Sequence, residues 1–333
     1  MTKSHADLAA AMRTRRVFIT GGSGFIGQNV IRYYKNAGAE VRALARSDAA
    51  ERTIIEAGGQ PVRKSLFDSD LYLSMQGCDL LIHAAANTSH ACHSADQWRV
   101  NVEGTQRVFN AARKAGINRA LHVSTESVLL TGKPLIMAKE SLPFPNKFVG
   151  AYSGSKAEGE LAALKQSDKD FSVVIVRPRF VWGKGDTTAL PQLMEAVKSG
   201  KFAWISEGNY LTSTTHIDNL CQGISRAAEY GGHGEAYFIT DEKPSIFRQF
   251  VSELLATQGI AVPDKSVPRG LIYLLAKLGD GINWISCGRI KSPLNMQVYA
   301  TSAVEVSLDI TKARNELGYF PDVSLRQGLD MMR

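Results

Sequence analysis

Cysteine is scarce in this sequence: four among 333 residues, at 78, 92, 221 and 287, without paired spacing. That argues against a disulfide framework and for reduced thiols in a cytoplasmic protein. Long apolar runs are missing, so no membrane-spanning helix is expected. The opening stretch MTKSHADLAAAMRTRR lacks the apolar core of a secretory signal. No dense block of lysine and arginine occurs, so the net charge of +7 does not argue for nucleic acid. It suits an anionic cofactor or a weak attraction to acidic lipid. Internal repeats and low-complexity segments are absent too. What remains is an ordinary globular composition, 44% hydrophobic and 21% charged, with enough chain for one large α/β unit or two domains.

Short β-branched runs alternate with helical patterns. RVFIT (Arg16 to Thr20), EVRALAR (Glu40 to Arg46), DLLIHAAA (Asp79 to Ala86), ALHVST (Ala120 to Thr125) and SVVIVRP (Ser172 to Pro178) read as buried strands. Phe25 to Lys35 and Gln97 to Lys114 read as helices between them. This order implies an α/β fold, a doubly wound parallel sheet covered by helices on both faces.

Glycines at 21, 24 and 27 follow the first strand directly, in FITGGSGFIGQ. Gly21 permits a tight turn, Gly24 lets a pyrophosphate approach the backbone, and Gly27 lets the helix pack on the strand. The helix N-terminus adds free N–H groups. The turn, with Ser23, Gly24, Phe25 and Ile26, is therefore a candidate dinucleotide cradle. The second strand ends in Ala45, Arg46 and Ser47, not in the acid that would bind the ribose 2′-hydroxyl of NAD. Arg46 suits a 2′-phosphate, so NADP(H) is favoured over NAD(H). Asp68, beyond the third strand, either meets the adenine amino group or serves as a turn or N-cap aspartate.

AYSGSK places Tyr152 and Lys156 four apart, on one face of a helix. An ammonium beside a phenol favours the phenolate and brings the tyrosine nearer to acid/base work. Ser124 and Thr125 end the strand before it, placed to hold a substrate oxygen. Asn101 in VNVEGT either binds a water, kinks its helix for a proton relay, or lies on the helix surface. His90, Cys92 and His93 lack a fourth ligand at a recognisable spacing, and no metal site is expected. His216 reads as a structural hydrogen-bonder.

With TGGSGFIG, IHAAA, VNVEGT, HVST, YSGSK, RPRFVWGKGD, THIDN and DITKARNELGYFP in this order, the chain resembles the extended short-chain dehydrogenase/reductase family. The resemblance implies an N-terminal extension (1–13), an NAD(P)-binding Rossmann domain (14–185) and a smaller α+β substrate domain (186–333), with some segments of the last returning to the core. It implies hydride transfer at the nicotinamide, with Tyr152 as acid/base, Lys156 on the ribose and Thr125 on the substrate oxygen. It also puts Ala84, Ala85, Ala86 and Pro178 by the cofactor. Asn87, Thr88, Glu126, Phe180, Val181 and Trp182 would form the substrate wall. A homodimer through the helices from Gln97 and from Gly150 is implied as well.

Three departures disfavour the sugar-nucleotide epimerases and dehydratases of that family: Phe180 in place of an asparagine, Thr212 in place of a diphosphate-binding arginine, and Thr125-Glu126-Ser127 with a single acid. Arg179 and Lys184 stay open as substitutes for the arginine. The segment from Tyr237 to Trp284 resembles the 3β-hydroxysteroid dehydrogenase branch. The expected activity is thus an NADP(H)-dependent interconversion of a secondary alcohol and a ketone on an apolar, steroid-like substrate, the alternative being a sugar-nucleotide epimerase or dehydratase with retained NAD(P). Leu271, Ile272, Leu274, Leu275 and Leu278 form an apolar helix face that packs on the core, lines the substrate site or touches a membrane surface.

Overall fold

The computed structural model describes residues 5–88, 95–286 and 292–333. His90, Cys92, His93 and Cys287 lie outside the described residues. The first half runs α1 (His5–Arg13), β1 (Arg16–Thr20), α2 (Phe25–Asn36), β2 (Glu40–Ala45), α3 (Asp48–Glu56), β3 (Gln60–Arg63), α4 (Leu71–Met75), β4 (Leu80–His83), α5 (Ala95–Trp98), α6 (Thr105–Lys114), β5 (Arg119–Val123), β6 (Leu135–Ala138), α7 (Ala151–Leu164) and β7 (Ser172–Pro178). The second runs β8 (Val181–Trp182), α8 (Ala189–Lys198), β9 (Trp204–Ile205), β10 (Leu211–Thr212), β11 (Thr215–His216), α9 (Ile217–Tyr230), β12 (Ala236–Ile239), β13 (Ser245–Ile246), α10 (Phe247–Ala256), β14 (Ser266–Val267), α11 (Arg269–Ile285), α12 (Met296–Ser302), β15 (Val306–Leu308) and α13 (Leu325–Asp330).

Seven strands form one parallel sheet in the order β12-β7-β5-β4-β1-β2-β3. Its direction of growth reverses between β1 and β4, where a crevice opens at the carboxyl ends of the strands. The inner strands are mostly apolar because both faces are covered: Val17, Phe18, Ile19, Leu81, Ile82, Val173, Val174 and Ile175 are fully buried. A second sheet of four short strands, β13-β10-β15-β6, lies apart from the first. β12 comes from the second half of the sequence and β6 from the first, so the chain crosses between the two sheets. A separate aromatic cluster, with Trp182, Trp204, Phe247 and Phe250, packs the second lobe. In α1, Leu8 and Met12 are buried against the main core.

The expected helix from Gln97 to Lys114 is interrupted. A π-helical turn, Arg99–Gly104, separates α5 from α6. α11 also departs from one expectation. Its buried residues are Ala276, Gly279 and Asn283, while Leu271, Leu274, Leu275 and Leu278 are all exposed. The core-facing reading is overturned for these four leucines, while Ile272 is half-buried against the main core; the small residues let the opposite face pack closely, as a Cβ on Gly279 would stand 2.1 Å from the Leu294 carbonyl oxygen.

Candidate active site

The crevice at the switch point begins with the glycine turn. Gly21 has φ +74°, and a Cβ there would meet the Ala84–Ala85 peptide at 2.7 Å. A Cβ on Gly27 would stand 2.1 Å from the Gly21 carbonyl oxygen. Both are required by the fold itself. Gly24 differs: its Cβ would have a single neighbour, the Gly21 oxygen at 3.4 Å, and would otherwise project into open space. Gly24 is the N-cap of α2, no side chain caps it, and the first turn holds no acid. An uncapped N-terminus beside space that a Cβ would fill fits the pyrophosphate of a dinucleotide. Ser23 and Ile26 are half-buried and Phe25 buried at this turn, with Ala84, Ala85 and Ala86 half-buried across the crevice.

Arg46 is exposed at the end of β2, and no hydrogen bond or ion pair to it occurs among the described residues. Arg42, by contrast, is held by Glu40 and the Gln76 carbonyl. Ser47 caps α3 through the Ala50 N–H. Asp68 is exposed and accepts the Ser65 N–H at 2.9 Å, as a turn aspartate does.

Tyr152 and Lys156 project from the first turns of α7, over the carboxyl end of β5. Thr125 hydrogen-bonds the Tyr152 phenol, and burial and the Glu126 charge push that phenol well above its ordinary range. The expectation that Lys156 lowers it is corrected here. Lys156 is 3% exposed and its Nζ donates to the Val123 carbonyl at 2.8 Å, with His122 Nε2 at 3.5 Å. Burial brings the ammonium itself down to about 8.

Asn101 is 2% exposed, which removes the surface reading. It sits in the π turn, where its Oδ1 accepts the Asn87 N–H at 2.8 Å and its Nδ2 donates to Ser155 Oγ at 3.0 Å and to the Asn87 carbonyl. It thereby ties the loop after β4 to the helix carrying Tyr152 and Lys156. Thr88, next to Asn87, is exposed.

Two further expectations are corrected. Ser124 donates its proton to Glu160 at 2.7 Å, and Glu160 is bound in turn by Arg177. Ser124 therefore belongs to a buried scaffold, not to the reacting atoms. Trp182 is 0% exposed and its indole N–H donates to Asp241 at 2.9 Å. It is core of the second lobe and offers no surface to a substrate. Phe180 packs edge-on against Phe250, with Val181 and Phe180 half-buried and Pro178 buried at the end of β7. His216 caps α9 through the Asp218 N–H, in line with its structural reading.

Glu126 has a larger part than that of a wall residue. It is 4% exposed, accepts the Thr125 hydroxyl proton at 2.8 Å and pairs with Arg179 at 2.5 Å. Arg179 also donates to Thr212 at 3.1 Å and to the Thr301 carbonyl at 3.0 Å. All three guanidinium nitrogens are thus engaged, so Arg179 is not available to a nucleotide diphosphate. Glu160 was legible as the next step of the four-residue rhythm Tyr152, Lys156, Glu160. The Glu126–Arg179 pair had no such signal, because its partners lie 53 residues apart. Among the described residues no cluster of three metal-ligating side chains occurs.

A model of the 3-beta hydroxysteroid dehydrogenase/isomerase family matches residues 18–269. The chain is 42% identical over 320 residues, 96% of each protein, to the 4-hydroxy-2-methyl-3-oxo-4-farnesyl-3,4-dihydroquinoline-1-oxide ketoreductase of Stigmatella aurantiaca. It is 28% identical over 331 residues, 95% of this chain and 99% of the other, to a decarboxylating sterol-4-alpha-carboxylate 3-dehydrogenase of Dictyostelium discoideum. The solved dTDP-glucose 4,6-dehydratase of Streptomyces venezuelae superimposes with a TM-score of 0.72 over 96% of both chains at 24% identity, a likeness of fold.

Proposed function

The chain belongs to the 3-beta hydroxysteroid dehydrogenase/isomerase family of NAD(P)-dependent oxidoreductases, and from that premise we propose that it interconverts a ring ketone and its secondary alcohol on an apolar substrate, with NADP(H). The observation that carries this reading is the meeting of Thr125 and Tyr152 over the end of β5, with Arg179 withdrawn into its pair with Glu126. Of the two cations left open as substitutes for a diphosphate-binding arginine, Arg179 is spent on Glu126, while Lys184 is exposed and lines a pocket with Phe25, Gln28 and Arg32 at the start of α2. The two relatives named above act, by their names, on a farnesyl-bearing 3-oxo quinoline derivative and on a sterol. Both are apolar ring systems oxidised or reduced at a ring carbon. We carry that class over, with 3-hydroxysteroids and 3-ketosteroids and prenylated bicyclic ketones as its members.

Gly21, Gly24 and the N-terminus of α2 would hold the pyrophosphate, Arg46 the 2′-phosphate, and Lys156 the nicotinamide ribose. The nicotinamide, when bound, supplies or takes the hydride at the substrate carbon. In reduction Tyr152 gives its proton to the carbonyl oxygen. Its raised affinity for that proton keeps it in the acid form before reaction. To hold the ribose, Lys156 would have to exchange its bond to the Val123 carbonyl. Asn101 keeps α7 and the loop after β4 in register during this exchange.

The exposed stripe of α11 extends the reading. Leu271, Leu274, Leu275, Leu278, Ile282 and Ile285 follow one face, each at least 43% exposed. α12 packs beside α11 and meets the start of α7, where Gln297 accepts the Ser153 N–H next to Tyr152. An apolar substrate dissolved in a bilayer would approach from this side, and anionic lipid would complement the net charge of +7. No described helix is long and apolar enough to cross a membrane. For assembly we propose the homodimer through α6 and α7. The outward residues of α6, among them Gln106, Arg107, Asn110 and Arg113, would make that interface polar. Light scattering tests it.

The test of the function is a spectrophotometric assay of reduced nicotinamide, with NADP and NAD, against a 3-ketosteroid, a 3β-hydroxysteroid, a prenylated bicyclic ketone and UDP-sugars. Turnover of an apolar ring ketone or alcohol, reduced on the order of 10²–10⁴-fold in Tyr152→Phe, is expected. Conversion of a UDP-sugar without net redox would replace this reading with the epimerase one.

A further inference from the structure

We propose that Glu126, anchored by Arg179, is a positioning residue that accepts the hydrogen bond of the Thr125 hydroxyl and leaves the Tyr152 phenol as the O–H donor to the substrate oxygen. This rests on the oxidoreductase reading above. A threonine hydroxyl has one proton and two lone pairs. Here the proton points to Glu126 Oε2 at 2.8 Å, and one lone pair receives the Ser127 N–H at 3.2 Å. What remains is an acceptor facing Tyr152. Thr125 therefore cannot polarise a carbonyl by donating to it, as a free hydroxyl would. It accepts from the phenol, or from a substrate alcohol.

Glu126 cannot leave this post. Its other oxygen is 2.5 Å from Arg179 Nη1. The guanidinium is fixed from the second lobe by Thr212 of β10 and by the carbonyl of Thr301 in α12. Both side chains of the pair are at most 5% exposed. A dehydratase acid must be free to deliver a proton, and this carboxylate is not. Among the described residues, the charged and titratable groups around Tyr152 include Glu126 from the turn after β5 and Lys156 on α7, with His122 of β5 behind Lys156 and Arg179 behind Glu126. Among the described residues Glu126 is the one anion that acts on the phenol, and its charge opposes phenolate formation.

The experiment compares Glu126→Gln with the wild type in two ways. Ionisation of Tyr152 in the unliganded protein is followed by NMR of ¹³C-labelled tyrosine, assigned with Tyr152→Phe. A glutamine should move its onset at least about one pH unit lower, a tenfold change in ionisation. Steady-state kinetics of Glu126→Gln, Thr125→Val and the double variant should be non-additive in kcat/KM by about tenfold or more, since the introduced amide can donate to Thr125 and free its proton. Glu126→Gln/Arg179→Gln, which leaves no unpaired buried charge, repeats the titration if the single variant does not fold. An unmoved onset, or additive kinetics, overturns the proposal, whatever the loss of melting temperature. A moved onset in a protein that turns over no ketone or alcohol would support the Glu126–Tyr152 coupling and refute the substrate reading instead.

Discussion

Tyr152 and Lys156 stand one helical turn apart, yet in this structure they look in different directions. The ammonium faces the Val123 carbonyl, and the phenol faces Thr125 and the Glu126 carboxylate. Spacing brings two side chains to one helix face, but their rotamers follow the partners that burial leaves them. The expectation of a phenol softened by Lys156 failed on this point. Arg46 is the opposite case: it is exposed just after β2 and no partner among the described residues holds it, so the proposed 2′-phosphate contact can be tested directly. Arg46→Ala should weaken NADP(H) binding by about ten- to a hundredfold, the worth of one or two charge-assisted hydrogen bonds, and leave NAD(H) binding nearly unchanged. Fluorescence titration with both reduced cofactors measures this. Equal losses for the two would remove Arg46 from the 2′-phosphate.

The helix that carries Tyr152 and Lys156 is placed by a defect in its neighbour. The π turn at Arg99–Gly104 turns the Asn101 carbonyl towards α7, and only a glycine fits opposite: a Cβ at Gly159 would stand 2.2 Å from that oxygen. Gly159→Ala must therefore push α7 away from the turn and loosen the Asn101–Ser155 bond. A stability loss above about 2 kcal/mol is expected, with a fall in kcat larger than any change in cofactor affinity. Differential scanning calorimetry and kinetics check both; a protein as stable and active as the wild type would contradict the packing. On α11 the exposed leucine stripe makes a separate prediction. Flotation with anionic vesicles should retain the wild type, and Leu274→Glu/Leu278→Glu should abolish retention while activity on a water-soluble ketone persists. Failure of the wild type to float excludes the bilayer reading.

Across the whole molecule, buried histidines link the fold to pH. His83 lies between Thr20 Oγ1 at 2.6 Å and Thr105 Oγ1 at 2.9 Å, and stacks on His122 at 5.3 Å. Burial, then the Lys156 charge, brings His83 down to about 3 and His122 well below its usual range. Their folded-state values lie below the unfolded value near 6.5. The stability they contribute is therefore fully present above pH 6.5 and is lost as pH falls towards the folded values. For His83 alone this amounts to up to roughly 5 kcal/mol at the acid end. Melting temperature should decline steadily from about pH 6.5 to pH 4, and His122→Leu should flatten the decline. A melting temperature constant over that range would show that these rings protonate without cost.

The sequence by itself determined the parallel sheet, the glycine turn and the Tyr152–Lys156 face, because each depends on residues a few positions apart: an apolar run, a Cβ too many, a helical repeat. It also determined that Arg46, not an acid, follows β2. Tertiary structure alone decided which hydroxyl meets Tyr152. Ser124 and Thr125 are adjacent and chemically alike, but one meets Glu160 and Arg177, the other Glu126 and Tyr152. It decided that Arg179 is spent on Glu126, that Trp182 is core, and that the leucines of α11 face outwards. The physical reason is common to all of these. A buried polar group must find its partner wherever the fold brings one, and the partners of Glu126 and Asp241 come from segments dozens of residues away. Local pattern carries no record of such pairings.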